Sequence, residues 1–343
     1  MKPLNIVLIE GDGIGPEITS SAVKVLLATG IPIDFEKRLA GLKSLETNGQ
    51  LVPDDTIQAI GQFGYALKGP FTTPSGGTQR SPNWVIRQKL KLFSCVRPLK
   101  DLSKGIDIVI IRENTEDLYG AIEWASSPDV MQAVKIATKD GCERISKFAM
   151  NFCRKERRKK ITIVHKANNL KLTEGLFLQQ AKSIAVVYPE ILVDDMLVDT
   201  AAYRLVTNPE TFDVILTSNT FGDILSSAGA ALVGGLGIAP SVSYGKDAVV
   251  AEATHGSAPD IAGKGIANPI GIISASAMLL KATGLVPQAE LIDQAINWAC
   301  KNNVTTPDMG GTASTSEVAD EITKYIKSRG GLFAKNNDAS SIV

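Results

Sequence analysis

Short apolar runs rich in β-branched residues alternate along the chain with longer segments whose apolar residues recur at helical spacing. The short runs predict strands, at Asn5–Ile9, Ile106–Arg112, Lys160–His165 and Asp213–Thr217. The helical spacing predicts helices, at Pro16–Thr29, Gly141–Arg158, Leu172–Tyr188 and Glu317–Lys327. Strands and helices in alternation are typical of a layered α/β fold with a mainly parallel sheet.

Charge and hydropathy exclude two classes of partner. The 343 residues include 36 basic and 36 acidic side chains, so the chain lacks the broad cationic surface that binds nucleic acid or anionic membranes. The longest apolar runs, such as Ile270–Leu280, are much shorter than the roughly 20 residues that cross a bilayer. We therefore expect a soluble protein that binds neither nucleic acid nor a membrane.

The N-terminus and the cysteines predict an intracellular location. The apolar run near the start ends at Glu10 and is too short for the core of a signal peptide. The four cysteines contain no CxxC pair, which argues against a zinc ribbon or a disulfide framework and fits a reducing compartment. We expect a cytoplasmic protein or, in a eukaryote, one of the mitochondrial matrix, although the sequence shows no transit peptide.

Three arginines are the first candidates for binding chemistry. Arg87, Arg97 and Arg112 lie beside Gly-rich turns or strand ends, where α/β proteins build their sites. A guanidinium group binds a carboxylate with two parallel hydrogen bonds, so three converging guanidinium groups would suit a di- or tricarboxylate. The alternative is that they are ordinary surface residues.

Two aspartates and two proton-transfer candidates lie at the edges of apolar segments. Asp199 and Asp223 could hold Mg²⁺ or Mn²⁺, which prefer hard oxygen ligands, or could be helix caps or surface residues. Lys166 follows the predicted strand Lys160–His165, and Tyr119 lies in the segment EDLYG. Either side chain could move protons at a carboxylate-binding site.

Two Gly-rich segments are candidates for nucleotide contacts. GDGIGPE is a tight strand-to-helix turn, but its spacing is not GxGxxG and no acidic residue follows at the ribose position, so a standard Rossmann domain is disfavoured. The segment THGSAPDIAGKGIANP brings His255, Gly256, Asp260 and Asn268 into one turn-rich stretch. It resembles a nucleotide-holding loop, and a purely structural loop is the alternative.

Taken in order, these motifs closely resemble those of the isocitrate/isopropylmalate dehydrogenase family, the decarboxylating β-hydroxyacid dehydrogenases, from about Asn5 to Lys327. The resemblance implies the α/β fold of that family rather than a Rossmann fold. It implies a large domain of residues 1–92 and 234–343 with the nucleotide-binding loops, and a small domain of residues 93–233 with the metal and catalytic residues. An arm at about 120–137 would clasp the partner in a homodimer.

The resemblance also implies a role for each candidate residue. Arg87, Arg97 and Arg112 would hold the substrate carboxylates, and Asp199 and Asp223 would hold Mg²⁺ or Mn²⁺. Catalysis would fall to Lys166, which helps to remove the hydroxyl proton, and to Tyr119, which protonates the enolate left by the loss of CO₂. Each active site would take Tyr119 from one subunit and Lys166 with Asp199 from the other.

Within the family, Ser81 and Asn83 match the isocitrate enzymes, because their polar groups can bind the γ-carboxylate, whereas isopropylmalate enzymes carry apolar residues there. Asp260 and Ile261 match the NAD enzymes, because an aspartate accepts hydrogen bonds from the ribose and would repel the 2′-phosphate of NADP. The expected cofactor contacts are Thr73, His255, Gly256, Asp260, Ile261 and Asn268. The resemblance thus implies NAD-dependent oxidative decarboxylation of isocitrate to 2-oxoglutarate and CO₂.

One departure and several alternatives accompany this expectation. Ser227 stands where the family usually has a third metal-site aspartate. The nearest rival substrate is homoisocitrate, which differs from isocitrate by one methylene, and isopropylmalate and tartrate are further alternatives. A non-catalytic regulatory subunit that binds isocitrate and nucleotide is a rival from another class.

Overall fold

The computed structural model describes residues 2–73, 80–101 and 104–337. The strands are β1 (Leu4–Ile9), β2 (Ile33–Lys37), β3 (Tyr65–Lys68), β4 (Ser94–Asp101), β5 (Ile106–Glu113), β6 (Glu123–Ser127), β7 (Val130–Ala133), β8 (Lys160–His165), β9 (Leu192–Leu197), β10 (Val214–Thr217), β11 (Pro240–Tyr244) and β12 (Val249–Ala253). The helices are α1 (Gly15–Ala28), α2 (Leu42–Asn48), α3 (Asp54–Phe63), α4 (Pro82–Lys89), α5 (Lys139–Lys155), α6 (Thr173–Ala185), α7 (Val198–Thr207), α8 (Asn219–Leu232), α9 (Ile270–Ala282), α10 (Val286–Lys301) and α11 (Thr315–Asn337).

The chain divides into two compact units. The first comprises Met1–Ile86, Gly234–Val242 and Asp247–Val343, and the second comprises Arg87–Val233 and Ser243–Lys246. The first unit is therefore built from both ends of the chain. From the sequence, we expected the boundaries between the two domains after residue 92 and after residue 233.

In the first unit the strand order is β2-β1-β3-β12-β11, and β1 pairs in parallel with both β2 and β3. Helix α1 follows β1 directly, with proline in its first turn, where the missing N–H group is no loss. Its buried face includes Ile18, Ala22, Val25 and Leu26, which recur at helical spacing. Such a strand-turn-helix unit presents the turn after β1 at the carboxyl edge of the sheet.

In the second unit the strand order is β4-β5-β10-β8-β9. Strands β5, β10, β8 and β9 run parallel, whereas β4 pairs antiparallel with β5. The register places Thr217 at the end of β10 beside Arg112 on one side and Val164 on the other. The segments that follow β5, β8 and β10 therefore emerge at the same edge, where parallel sheets place their sites.

The predicted fold class, α/β with a mainly parallel sheet, is confirmed. The four predicted strands correspond to β1, β5, β8 and β10, and the four predicted helices to α1, α5, α6 and α11. Helix α11 extends to Asn337, well past the predicted end at Lys327. The sequence pattern ends early because Gly330 and Gly331 have low helix propensity.

An exposed hairpin of β6 and β7 lies within the segment predicted to be an arm. Every residue of both strands is exposed, including Trp124 and Met131, which have 49% and 70% of their surface accessible. Exposed apolar side chains on an isolated two-stranded sheet are unusual unless a partner covers them.

Within the described part of the chain, no helix combines the length and hydropathy needed to span a membrane.

Candidate active site

Asp223, in the second turn of α8, is the centre of a cluster at the carboxyl edge of the second unit. Its Oδ1 atom accepts hydrogen bonds from Arg97 Nη1 at 3.1 Å and from Arg112 Nη1 at 2.5 Å. Its Oδ2 atom accepts a hydrogen bond from the hydroxyl group of Tyr119 at 2.8 Å. Three of the residues expected to act on substrate, Arg97, Arg112 and Tyr119, therefore share one carboxylate.

Arg112 is buried and is fixed by hydrogen bonds to two residues, Asn219 and Asp223. Its side chain is 1% exposed, and its Nε and Nη2 atoms donate to Asn219 Oδ1 at 3.0 and 2.6 Å. Its guanidinium carbon lies 5.3 Å from the centre of the Tyr119 ring. Burial, together with the neighbouring cations Arg97 and Arg87, lowers the pKa of Arg112 to about 10. The site thus concentrates positive charge in a partly dry environment, which favours an anionic ligand.

The same charges set the protonation states of Asp223 and Tyr119. Burial alone would raise the pKa of Asp223, but Arg112 and Arg97 outweigh it, so the pKa lies below its ordinary value. The pKa of Tyr119 is raised by burial and by its hydrogen bond to Asp223. Asp223 is therefore an anion near neutral pH, while Tyr119 keeps its proton and can donate it.

The remaining substrate-binding candidates lie on or beside α4. Arg87 lies close enough to Arg112, Tyr119 and Asp223 to shift the pKa of each. Asn83 precedes Arg87 by four residues, so the two side chains lie on one face of the helix.

The helix start itself is polar. Ser81 precedes the first turn of α4, and its Oγ atom accepts a hydrogen bond from Trp84 N at 3.2 Å. Within the described part of the chain, Asn83 Oδ1 is buried and has no hydrogen-bond partner. A buried amide oxygen without a partner indicates a place for a polar ligand or a water molecule.

Lys166 and Asp199 form a second group in the same unit. Lys166 follows β8, and Asp199 lies at the start of α7. The Nζ atom of Lys166 donates a hydrogen bond to Asp199 Oδ1 at 2.5 Å. The hydrogen bond to Lys166 lowers the pKa of Asp199, whose side chain is 62% exposed. His165 precedes Lys166 at the end of β8, and its Nδ1 atom accepts a hydrogen bond from Ala167 N at 3.0 Å.

The expected metal ligands have suitable donor chemistry but different partners. Asp223 binds two arginines and Tyr119, whereas Asp199 binds Lys166. Residues 2–73, 80–101 and 104–337 contain no group of three or more His, Cys, Asp or Glu side chains placed to hold a metal ion. Two partly exposed carboxylates still fit Mg²⁺ or Mn²⁺, which bind through few protein carboxylates and complete their shells with substrate and water oxygens.

Ser227 lies one turn after Asp223 on α8. Its side chain is exposed, and its Oγ atom donates to the Asp223 carbonyl oxygen at 2.9 Å. The neighbouring Ser226 is buried instead, and its Oγ atom accepts a hydrogen bond from Arg97 Nη1 at 2.7 Å. The sequence motif singled out Ser227 but did not show that its neighbour Ser226 is buried against Arg97.

Three loops meet at the carboxyl edge of the first unit. Gly13 has a φ of 57°, and a Cβ atom there would lie 2.0 Å from the Ser257 carbonyl oxygen, so only glycine fits. The Asp12 carboxylate accepts hydrogen bonds from the backbone N–H groups of Leu42 and Thr72, both at 2.8 Å. The hydroxyl groups of Thr72 and Ser257 are 2.6 Å apart. The turn GDGIGPE is thus joined to the segment before Thr73 and to the loop after β12.

The expected cofactor residues occupy different environments on these loops. His255 donates from Nδ1 to the Gly256 carbonyl oxygen at 2.9 Å, and among the described residues its buried Nε2 atom has no hydrogen-bond partner. Burial lowers the pKa of His255, so Nε2 is a neutral acceptor near neutral pH. Asn268 is buried and bonds to Asp308 and Ile270 N. The others are exposed or half-buried: Thr73, Gly256, Asp260 and Ile261.

An unpartnered buried acceptor in a Gly-rich loop fits a nucleotide that carries donor groups. Asp260 is exposed, so its carboxylate is open to the hydroxyl groups of a ribose. The first unit therefore offers a site of suitable chemistry for a dinucleotide, built without a GxGxxG turn.

A buried ion pair near these loops was not predicted from the sequence. Lys68 ends β3 with 2% of its side chain exposed, and its Nζ atom pairs with Glu252 of β12. The ammonium group lies 4.5 Å from the centre of the Phe71 ring and 3.3 Å from the Gly69 carbonyl oxygen. A lysine that ends an apolar strand was the available signal, because buried charges are rare outside functional sites.

Comparison with known proteins gives one family over nearly the whole chain. The family model described as isocitrate/isopropylmalate dehydrogenase matches residues 5–322. Homoisocitrate dehydrogenase of Methanocaldococcus jannaschii is 42% identical, over 95% of this chain and 99% of that protein. A mitochondrial catalytic subunit of NAD isocitrate dehydrogenase of Arabidopsis thaliana is 37% identical, over 94% of this chain and 89% of its own.

A solved structure is similarly close. The crystal structure of isocitrate dehydrogenase from Methylococcus capsulatus superimposes with a TM-score of 0.91 at 42% identity, covering 94% of this chain and 99% of that one. This similarity confirms the layered α/β fold that the sequence motifs implied.

Proposed function

Because this chain belongs to the isocitrate/isopropylmalate dehydrogenase family, we propose that it catalyses the NAD-dependent oxidative decarboxylation of isocitrate to 2-oxoglutarate and CO₂. Members of the family carry out oxidative decarboxylation of small 2-hydroxy dicarboxylates. Among these substrates, isocitrate is the one that we propose for this chain.

The observation that carries the proposal is the surplus of cationic groups around Asp223. Arg97 and Arg112 both bind this one carboxylate, and Arg87 adds a third positive charge nearby. Three guanidinium groups suit a substrate with several carboxylates, at roughly 1.5 to 3 kcal/mol for each hydrogen bond to a charged group. Asn83 and Ser81 at the start of α4 supply polar groups for the γ-carboxylate, where an isopropyl group would leave them unpaired.

The proton-transfer steps fall to Lys166 and Tyr119. Lys166 helps to remove the proton of the substrate hydroxyl group while NAD supplies the hydride acceptor. The resulting β-keto acid loses CO₂ and leaves an enolate, which Tyr119 protonates with the phenol proton that it otherwise donates in its hydrogen bond to Asp223 Oδ2. A divalent cation held by Asp199 and Asp223 would supply Lewis-acid stabilisation of the negative charge on the substrate oxygen.

Cofactor selection is assigned to the loop that follows β12. The exposed Asp260 accepts hydrogen bonds from the ribose hydroxyl groups of NAD and repels a 2′-phosphate. His255 Nε2, buried and lacking a partner among the described residues, accepts from the nucleotide. These assignments rest on the hydrogen-bond acceptors of the loop and on the motif shared with the family.

The oligomer that we propose is a homodimer with shared active sites. The hairpin β6–β7 supports it, because Trp124, Val130 and Met131 expose large apolar surfaces that a second copy would cover. Tyr119 and Asp223 would act with Lys166 and Asp199 of the other copy. The two groups of site residues have separate partners within one chain, as this arrangement requires.

A substrate panel tests the assignment. The purified chain should reduce NAD fastest, by kcat/KM, with isocitrate in the presence of Mg²⁺ or Mn²⁺, and should release one CO₂ for each NADH formed. Homoisocitrate, 3-isopropylmalate and tartrate are the comparison substrates, each measured with NAD and with NADP. A higher kcat/KM for any of these three would replace isocitrate as the substrate.

Homoisocitrate is the second candidate substrate, since a relative that is 42% identical carries that name. One methylene is worth only about 1 to 3 kcal/mol of discrimination, so the panel must compare the two substrates under identical conditions. No turnover of any substrate by a folded chain that binds isocitrate would instead indicate a regulatory subunit.

A further inference from the structure

Two buried carboxylates and a nearly buried lysine form a linked group that the proposed chemistry does not use. Lys135 Nζ lies 2.5 Å from Asp117 Oδ1 and 2.9 Å from Glu174 Oε1. The side chains of Lys135, Asp117 and Glu174 are 13%, 2% and 1% exposed. The ammonium group also lies 5.0 Å from the centre of the Phe221 ring. All these residues belong to the second unit.

One end of this group holds the backbone around Tyr119. The Asp117 carboxylate accepts hydrogen bonds from Leu118 N at 2.8 Å and Thr220 N at 2.9 Å. Asp117 itself has a φ of 70°, and Ala121 a φ of 58°, which are conformations that favour glycine. Strained residues on both sides of Tyr119 persist only where their surroundings determine the conformation. Asp117 is fixed by these donors and by Lys135.

The other end holds the backbone of Lys166. Glu174, in the first turn of α6, accepts a hydrogen bond from Lys166 N through Oε2 at 3.1 Å, while its Oε1 atom binds Lys135. The two carboxylate oxygens of Glu174 therefore bind different groups, the backbone of Lys166 and the side chain of Lys135. Lys135 therefore joins Asp117 to Glu174 through two ion pairs.

Stability alone does not account for such a group. A buried set of paired charges can often be replaced by apolar residues of similar volume with no loss of stability, because desolvation offsets the Coulomb attraction. Apolar side chains could not accept hydrogen bonds from the backbone N–H groups of Leu118, Thr220 and Lys166. The charged group provides a fixed geometry between two backbone segments that carry proton-transfer residues.

We propose that Lys135 is a positioning residue, which through Asp117 and Glu174 sets the Tyr119 segment and the Lys166 segment in one fixed relation. The catalytic relevance of this link rests on the roles given to Tyr119 and Lys166 in the proposed function, whereas the link itself does not. In a dimer with shared sites, each Lys135 would serve both active sites, because Tyr119 and Lys166 of one chain belong to different sites.

The first test is kinetic. Lys135→Met should lower kcat about 10- to 100-fold, as the loss of a supporting partner does at other sites, and should change the KM for isocitrate less than about threefold. The substrate carboxylates are bound by arginines that Lys135 does not contact, so ground-state binding should survive. Lys139→Met is the matched control, because Lys139 lies four residues away, is exposed and, among the described residues, forms its ion pair with Glu143.

A second variant covers the case in which Lys135→Met fails to fold because two carboxylates are left buried. The triple change Asp117→Asn, Lys135→Met and Glu174→Gln removes all three charges at nearly constant volume. The proposal expects this variant to fold and to show the same loss of kcat. A folded triple variant with the kcat of the wild type would overturn the proposal.

The second test needs no substrate. Hydrogen exchange followed by mass spectrometry should show faster exchange in the peptides that contain Leu118, Lys166 and Thr220 in the triple variant, with other peptides of the second unit unchanged. Asp117→Asn alone should speed exchange at Lys166, through Lys135. Unchanged exchange at Lys166 in both variants would overturn the proposal. If the wild type turned over no substrate in the panel, the proposed function would fail, and the exchange experiment would still decide the link.

Discussion

Gly222 lies directly against the side chain of Arg112. A Cβ atom at position 222 would meet Arg112 Cγ at 2.6 Å and Arg112 Cβ at 2.7 Å. These atoms are at the fixed end of a side chain that is 1% exposed, so it cannot move aside without shifting its guanidinium group. The absence of a side chain at Gly222 thus determines where the positive charge of Arg112 lies.

Gly222→Ala should therefore displace Arg112 from Asn219 and Asp223. We expect kcat/KM to fall about 10- to 100-fold, the equivalent of one hydrogen bond to a charged group, and the overpacking to cost about 1 to 3 kcal/mol of stability. Steady-state kinetics and thermal unfolding measure the two effects. Gly61→Ala is the control, because Gly61 is also helical but has nothing within 4 Å of the added Cβ position. Equal activity of both variants would show that the Arg112 position is not critical.

Cofactor preference should change when the chemistry at Asp260 and Ile261 is exchanged. The double change Asp260→Lys with Ile261→Tyr removes repulsion of the 2′-phosphate and adds a cationic partner, so the ratio of kcat/KM for NADP to that for NAD should rise about tenfold or more. Glu46→Lys is the control for a change of charge at another exposed site of the first unit. A wild type that already prefers NADP would refute the assignment of Asp260.

Shared active sites can be tested with two inactive variants. Tyr119→Phe lacks the proton donor and Lys166→Met lacks the ammonium group, and a mixed dimer contains one site with both intact. After subunit exchange of equal amounts, activity should return to about a quarter of that of the wild type, since half of the dimers are mixed and each has one working site. Isotope-labelled subunits, followed by native mass spectrometry, verify the exchange. Proven exchange without recovered activity would rule out sharing.

The metal site should become stronger when Ser227 is replaced by a carboxylate. Ser227 is exposed one turn from Asp223, and a neutral hydroxyl is a weaker partner for a hard cation than a carboxylate. Ser227→Asp should therefore tighten Mn²⁺ binding to the free protein, measured by calorimetry. In the wild type, isocitrate should tighten Mn²⁺ binding because it brings its own oxygens.

The control for this titration is Ala228→Asp, which adds the same charge at the next exposed position of α8. A gain in affinity that is equal in the two variants would reflect net charge alone. If Ser227→Asp does not raise the affinity for Mn²⁺, the side chain at position 227 is not a metal ligand.

The elements that position the site were predictable from local pattern. Strand β8 has the bounds expected from the sequence, Lys160–His165, and β5 and β10 differ from expectation by one residue at an end. Lys166 and Asp223 were identified because charged residues at the edges of apolar segments interrupt a short-range pattern. Backbone preference and the alternation of buried and exposed positions act over a few residues, so they can be read without the tertiary fold.

The contacts among these residues were not predictable in the same way. Arg112 and Asn219 are 107 positions apart in the chain and meet only because the parallel register sets Thr217 beside Arg112. The sequence suggested Asp223 as a metal ligand, and only the structure shows that it also binds Arg97, Arg112 and Tyr119.

Lys135 is the clearest example of what the sequence could not indicate. It lies just after an exposed strand in a segment without an apolar pattern, yet its ammonium group is nearly buried between Asp117 and Glu174. Composition and motifs determined the family, the layered fold and the residue types available for chemistry. The tertiary structure decided which charges pair, because pairing depends on sheet register and loop placement, which bring distant segments within the few ångströms over which hydrogen bonds act.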